Sequence, residues 1–138
     1  MLGESSYRLA LYPHAGNWQQ GNVYREAFNF CYPLRLVQTG KLKGELGAET
    51  SMLKIEPEEL VFGAMKLPES GKENAFVLRL YNPTGKPLQG KVTLLQPIQS
   101  VEQITLEEVS VQKLTVDGEH AFHVKAEPGK IVSFLVTW

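Results

Sequence analysis

The side chains that could do chemistry in this chain are three histidines, one cysteine and two pairs of adjacent glutamates. The histidines are His14, His120 and His123, and a zinc site needs three or four ligands that converge on one point. If residues 120 to 124 form a strand, His120 and His123 point to opposite faces of it, because successive side chains alternate. We therefore expect solvated histidines and no metal site within this chain.

The cysteine and the glutamates are equally poor candidates for catalysis. Cys31 falls beside Phe28 on the apolar stripe of a predicted helix, so we expect a small buried hydrophobic residue and not a thiol nucleophile. The two carboxylates of a glycosidase face each other across a cleft, whereas neighbours in sequence point apart. We expect Glu58-Glu59 and Glu107-Glu108 to be solvated surface, and we assign no catalytic residue to this chain.

One loop has the composition of a binding site. The stretch Tyr12-Pro13-His14-Ala15-Gly16-Asn17-Trp18 places aromatic rings, a histidine and an amide between a predicted strand and a predicted helix. Loops held by rigid elements often carry binding residues, so this set could stack on a sugar. In the structural alternative, Trp18 fills the gap between helix and sheet, and His14 and Asn17 satisfy helix-end amides.

The elements that would position this loop lie on either side of it. Residues 7–12 alternate with period two, which predicts a strand that Pro13 ends. An apolar stripe with helical spacing follows and ends at Pro33; its members are Tyr24, Ala27, Phe28 and Cys31. Asn17 or Asn22 could cap this helix. Residues 40–50 are rich in Gly, Lys and Glu, which indicates a mobile connection.

Beyond residue 51 the pattern consists of strands and turns. Residues 76–81 are predicted to pair with a strand around 91–95 through the turn Asn82-Pro83-Thr84-Gly85. Asp117-Gly118 suits a two-residue type I′ hairpin. The final strand, 131–138, places Val132, Phe134, Val136 and Trp138 on one face. Short strands at this spacing predict a mainly β fold, an antiparallel β-sandwich of immunoglobulin-like or galactose-mutarotase-like supersandwich type, with one short helix near the N-terminus.

Size and charge narrow the function classes further. The 138 residues suit one compact unit, in which residues 1–50 would form a strand-plus-helix segment packed on a sandwich of residues 51–138. A formal charge of −1 gives no field that would attract nucleic acid or a membrane. A single cysteine favours the cytoplasm. Because the strand pattern begins as early as Tyr7, we expect a fragment of a larger protein.

Three stretches of the chain carry a resemblance to a known family. The first is Leu11-Tyr12-Pro13-His14-x-Gly16-x-Trp18 with Ala27-Phe28-Asn29 and Pro33-Leu34 after it. The second runs from Leu60-Val61-Phe62-Gly63-Ala64-Met65-Lys66 through a polar loop to Phe76-Val77-Leu78-Arg79-Leu80-Tyr81-Asn82. The third is the closing pattern at Pro128 to Leu135. Together they resemble the C-terminal region of zinc-dependent α-mannosidases, glycoside hydrolase family 38.

The resemblance implies the role of an accessory domain. Members of that family are retaining glycosidases whose N-terminal barrel holds zinc, so the cofactor would belong to the parent enzyme and not to this fragment, which would be inactive alone. The implied partner is the catalytic domain of the same polypeptide, together with mannosides as possible ligands. His14, Trp18 and Arg79 are the candidates for contacts with the cleft or the interface.

Two other roles are compatible with the same fold. A stand-alone carbohydrate-binding module would use exposed aromatics such as Trp18 to stack sugar rings. An immunoglobulin-like spacer or adhesion unit would need no ligand, because sandwiches host many functions.

Overall fold

A computed structural model describes residues 3–41 and 43–138. Met1, Leu2 and Leu42, which belongs to the predicted connection 40–50, lie outside the described residues. The chain divides into two compact units, Met1–Gly44 and Glu45–Trp138. The helix lies in the first and all strands in the second; their bounds are α1 Val23–Cys31, β1 Leu53–Glu56, β2 Val61–Lys66, β3 Ala75–Tyr81, β4 Leu88–Leu94, β5 Ser100–Ile104, β6 Ser110–Leu114, β7 Val116–Asp117, β8 Ala121–Ala126 and β9 Ile131–Thr137.

The N-terminal unit contains a turn followed by α1, and the described residues on either side of them have no regular secondary structure. The predicted helix is confirmed, but the predicted strand over residues 7–12 is wrong, because these residues have no strand partner among the described residues and Leu9 and Leu11 are almost fully exposed. Alternation alone cannot make a strand without a second strand to pair with. Within the described residues no helix has the length and apolarity that a membrane crossing requires.

The C-terminal unit is an antiparallel sandwich, which confirms the predicted fold class. One sheet has four strands in the order β1-β4-β8-β7, and the other has five in the order β2-β3-β9-β5-β6. The C-terminal strand β9 lies in the middle of the five-stranded sheet, where Leu78 pairs with Phe134 on one side and Gln103 pairs with Phe134 on the other. The last strand of the chain therefore joins both halves of its sheet.

The hydrophobic core lies between the inner faces of the two sheets. Phe122 of β8 and Phe134 of β9 meet across it with ring centroids 5.3 Å apart. As predicted, alternate residues of β3 and β9 point inward, and the fully enclosed ones include Leu78, Leu80 and Val136. Each such side chain contributes roughly 1.5–3 kcal/mol on burial. Trp138 lies at the end of this face, remains 41% exposed and packs against Phe76.

The predicted hairpin between β3 and the strand near 91–95 is wrong, because β4 belongs to the opposite sheet. The turn after β3 is built around Asn82, whose side chain is fully buried. Its amide nitrogen donates to the carbonyl oxygens of Lys86 and Ala126, each at 2.8 Å. Ala126 ends β8 in the other sheet, so the turn carries the chain across the sandwich.

A second crossing occurs between β6 and β7. Leu114, the last residue of β6, pairs with Val101 in the five-stranded sheet, and two residues later Val116 pairs with Phe122 in the four-stranded sheet. The predicted two-residue turn at Asp117-Gly118 is also wrong in detail. Asp117 pairs with Ala121, so three residues form the connection, and only its first residue, Gly118, has a positive φ (62°).

Candidate functional site

Two of the three predicted contact residues lie in the aromatic loop of the N-terminal unit. The Tyr12 and His14 rings lie with their centroids 5.8 Å apart, and Trp18 packs edge-on against Tyr24 of α1 at 4.9 Å. Trp18 is 42% exposed and Tyr12 is 49% exposed. The Trp18 ring is therefore anchored on the helix and still presents surface that could stack on a ligand ring.

Local polar contacts shape the loop. The side-chain oxygen of Asn17 accepts hydrogen bonds from the backbone N–H groups of Gln19 and Gln20 at 3.1 and 2.9 Å, so Asn17 caps the turn before α1. Asn22 stands at the N-cap position of α1 and makes no side-chain hydrogen bond to the helix. The His14 ring lies against Gly21, where a β-carbon would clash with it. The predicted side-chain cap of the helix is therefore wrong for both asparagines, because Asn17 bonds to the preceding turn and Asn22 makes no cap bond.

Arg79, the third predicted contact residue, lies in the C-terminal unit. Its position in β3 faces away from the core, because its neighbours Leu78 and Leu80 point inward. The Nη2 atom donates to the Leu106 carbonyl at 2.9 Å, and the buried Nε has no partner among the residues that the structure describes. Arg79 thereby ties the loop after β5 to the outer face of the five-stranded sheet.

An ion-pair cluster stands on the same face. Lys66 Nζ lies 2.8 Å from Glu108 Oε1 and also contacts the carboxylate of Glu69. The backbone N–H of Glu69 donates to Glu108 Oε2 at 2.7 Å. The hydrogen bond from Lys66, supported by the Glu69 amide and the Arg79 charge, lowers the pKa of Glu108, and the bond to Glu108, with that to Glu69, raises the pKa of Lys66.

This cluster corrects one prediction about the glutamate pairs. Glu107 is exposed as expected, but the Glu108 side chain is only 10% exposed and is held by Lys66. Glu108 also has a positive φ of 65°. The loop turns there and aims the carboxylate at the sheet, which no periodicity in the sequence indicates. Both pKa shifts favour the charged forms at neutral pH, so the cluster acts as an ion pair and not as a proton donor and acceptor.

The remaining reactive side chains stay apart. His120 lies in the turn before β8, where its Nδ1 is 3.2 Å from the Leu94 carbonyl, and His123 is exposed on β8 with Nε2 3.4 Å from Asp117. A hydrogen bond from Lys91 lowers the pKa of Asp117. In residues 3–41 and 43–138 no three His, Cys, Asp or Glu side chains come together as metal ligands would. Cys31 is exposed, so its predicted burial is wrong.

The sequence patterns did not indicate a groove of about 750 Å³ in the C-terminal unit. It lies between β6 of the five-stranded sheet and β8 of the four-stranded sheet. Gln103, Gln112 and Leu114 line it from the inner face of the five-stranded sheet. Residues 123–125 of β8, residues 89–91 of β4 and residues 56–57 line it from the four-stranded sheet. We call this space the seam. Its existence depends on which strand pairs with which, so local patterns could not reveal it.

Two packed antiparallel sheets of four and five strands define this class of domain as a β-sandwich. The chain belongs to glycosyl hydrolase family 38, whose C-terminal beta sandwich domain matches residues 59–134, more than half of the sequence. No individual curated protein matches the chain at a significant level.

The family match confirms the resemblance seen in the sequence. It covers all of the second of the three stretches that carried the resemblance, and most of the third. The matched range runs from just before β2 into β9, so it contains Arg79 and the Lys66–Glu108 pair. The loop with His14 and Trp18 lies outside it.

Proposed function

We propose that this chain is the non-catalytic C-terminal β domain of a glycoside hydrolase related to α-mannosidases, and that it supports the catalytic barrel of that enzyme. The family match over residues 59–134 carries this proposal. The zinc and the catalytic carboxylates would be supplied by the rest of the enzyme. The domain would contribute a folded surface against which the barrel packs.

The electrostatics of the C-terminal unit support a structural role. The groups whose pKa values are shifted are Lys66, Glu108 and Asp117, and each shift favours the charged form. General acid–base catalysis requires the opposite, a pKa moved toward the working pH. The charged groups of this sandwich hold loops and strands in place.

The experiment compares three polypeptides: this chain, the enzyme that contains it, and that enzyme without residues 45–138. Hydrolysis of 4-nitrophenyl α-mannoside is measured with zinc present. We expect no turnover by the chain, turnover by the enzyme, and a lower melting temperature with reduced turnover in the shortened enzyme. Hydrolysis by the chain alone would refute the non-catalytic role. Unchanged stability and turnover in the shortened enzyme would refute the supporting role.

A second candidate function is direct binding of mannosides, which the half-exposed rings of Tyr12 and Trp18 favour. His14 lies beside Tyr12 and could donate to a sugar hydroxyl. Arg79 is a weaker candidate for this contact, because Leu106 already occupies part of its guanidinium.

Tryptophan fluorescence tests this second function, because the chain has two tryptophans of nearly equal exposure. Trp18 is 42% and Trp138 is 41% exposed, so Trp18→Phe and Trp138→Phe form a matched pair. If the loop binds sugar, titration with an oligomannoside changes the emission of the parent chain and of Trp138→Phe but not of Trp18→Phe. The absence of any change at millimolar sugar would argue against a binding module.

A further inference from the structure

The seam contains a strand edge that the sandwich leaves open. β8 pairs with β4 along its whole length, from Ala121 to Ala126. On its other side β7 pairs only with Ala121 and Phe122. Over the described residues, the stretch His123 to Ala126 therefore has a neighbouring strand on one side only.

The direction of the backbone groups follows from one hydrogen bond. The carbonyl of His120 accepts from the N–H of Leu94 at 2.8 Å, so it faces the β4 side. The N–H and C=O groups of successive residues alternate between the two edges of a strand, so the backbone groups of Phe122 and Val124 also point toward β4. The backbone groups of His123 and Lys125 point toward the opposite edge. Their N–H and C=O groups point into the seam.

The walls of the seam have the pattern that a further strand would need. Below the open edge lies the inner face of the opposite sheet, where Leu114 is half-buried and Phe134 is buried in the core. Gln103 and Gln112 lie beside them, joined by a 2.7 Å hydrogen bond between their amides. Four residues of strand span about 14 Å. A short extended segment at this edge would continue the line of β7 and cover that surface.

The exposed side chains at the edge are both basic, and they decide which segment fits. His123 and Lys125 project outward from β8, where directly opposed residues of an added strand prefer the opposite charge. His123 Nε2 lies 3.4 Å from Asp117 and Lys125 Nζ lies 2.9 Å from Glu127, and exposed pairs of this kind contribute little. Pairing of two copies of β8 would oppose basic to basic residues, which disfavours a second copy.

We propose that the seam binds an extended peptide as an added β-strand on β8, with the alternation acidic, apolar, acidic. The apolar side chain faces the half-buried Leu114, and the acidic side chains lie opposite His123 and Lys125. Backbone hydrogen bonds to these two residues supply the affinity, as in other cases of strand addition. This interaction is independent of the proposed role in a hydrolase.

Amide hydrogen exchange of the 138-residue chain tests the proposal directly. In the free chain, the amides of His123 and Lys125 should exchange quickly and those of Phe122 and Val124 slowly, because only the latter two bond to β4. The peptide acetyl-Thr-Glu-Val-Glu-Thr-amide should slow exchange at His123 and Lys125 by about tenfold or more at saturation. The control peptide with lysine in place of both glutamates should leave the exchange unchanged.

Two variants separate the backbone bond from the charge. Lys125→Pro removes the N–H that faces the seam and spares the bonds to β4, so the variant should fold and lose peptide binding. Lys125→Gln removes only the charge and should bind more weakly than the parent chain but still detectably. If Lys125→Pro does not fold, the hydrogen-exchange result on the unmodified chain tests whether the peptide binds at this edge.

Three results would overturn the proposal. The first is slow exchange at His123 and Lys125 in the free chain, including protection that rises with protein concentration. The second is unchanged exchange when the acidic peptide is present at millimolar concentration. The third is equal protection by the acidic and the lysine peptides, which would show that the edge does not select by charge.

Discussion

Replacing Asn82 should destabilise the sandwich more than any other change of an amide side chain in it. Asn82 is fully buried where β3 leaves its sheet. Its side-chain nitrogen donates to Lys86 and Ala126, and its oxygen accepts from the N–H and the hydroxyl of Thr84 at 2.9 and 2.7 Å. Its backbone N–H donates to the Lys130 carbonyl at 3.0 Å. One residue therefore joins the turn after β3 to both sheets.

The magnitude follows from these four side-chain bonds. A hydrogen bond contributes roughly 0.5–1.5 kcal/mol, and buried groups left without a partner add to the loss. Asn82→Ala should therefore lower the free energy of unfolding by about 2–5 kcal/mol, a large part of the roughly 5–15 kcal/mol that a domain has. Asn82→Asp should cost more, because a buried carboxylate would face the carbonyl oxygens of Lys86 and Ala126.

Urea unfolding monitored by circular dichroism measures these differences. The control is Gln89→Ala, which removes an exposed amide from β4 and should change the free energy of unfolding by less than about 0.5 kcal/mol. A loss below about 1 kcal/mol for Asn82→Ala, or equal effects of the Ala and Asp variants, would refute the assignment of Asn82 as the joint between the sheets.

Three further outcomes are expected. Gly90→Ala should destabilise the chain by about 1–3 kcal/mol in urea unfolding, since its β-carbon would meet a backbone carbonyl of β1, whereas Gly85→Ala meets nothing within 4 Å and should be near neutral. The lowered pKa of Glu108 predicts a contribution to stability that is present above the unfolded-state pKa and is lost as the pH falls through the folded-state pKa. Between pH 7 and 3 the melting temperature of Glu108→Gln should therefore decrease less than that of the parent chain. An equal decrease in both proteins would contradict the pairing with Lys66. Deleting residues 128–138 removes β9 from the centre of its sheet and should abolish the cooperative melting transition, and an unchanged melting curve would refute that.

The parts of the fold that the sequence predicts correctly are those that depend on local periodicity. Residues 76–81 and 131–137 alternate clearly and form β3 and β9 with the expected faces inward. The sequence Glu127-Pro128-Gly129-Lys130 also predicts a type II turn, and this turn closes with a hydrogen bond from Lys130 N–H to the Glu127 carbonyl, with Gly129 at a φ of 66°. In each case the residues that decide the structure are neighbours in the chain.

The predictions that are wrong concern segments whose structure depends on partners distant in the chain. Residues 7–12 have the alternation of a strand, but no partner strand is present in the described residues, and the Cys31 stripe of α1 remains exposed. The predicted pairing of β3 with β4 is wrong because the turn at Asn82 leads the chain into the other sheet. A turn motif specifies a reversal of direction but not which sheet receives the next strand.

The candidate sites are predictable from the sequence to different degrees. The loop with His14 and Trp18 is recognisable by its composition, because aromatic residues and amides in a loop suggest binding. The seam and the Lys66–Glu108 pair cannot be found in this way. Glu108 reaches Lys66 across 42 residues of sequence through a positive φ, and the seam exists only because β7 is two residues long.

The most direct test of the supporting role measures α-mannoside hydrolysis by the enzyme that contains this domain, with and without Asn82→Ala, as a function of temperature. If the domain supports the barrel, turnover in the variant should fall at the lower temperature at which the variant sandwich unfolds, while both proteins have equal turnover below it. If turnover of the variant follows that of the parent enzyme after the sandwich has melted, the domain does not support catalysis and the central claim is wrong.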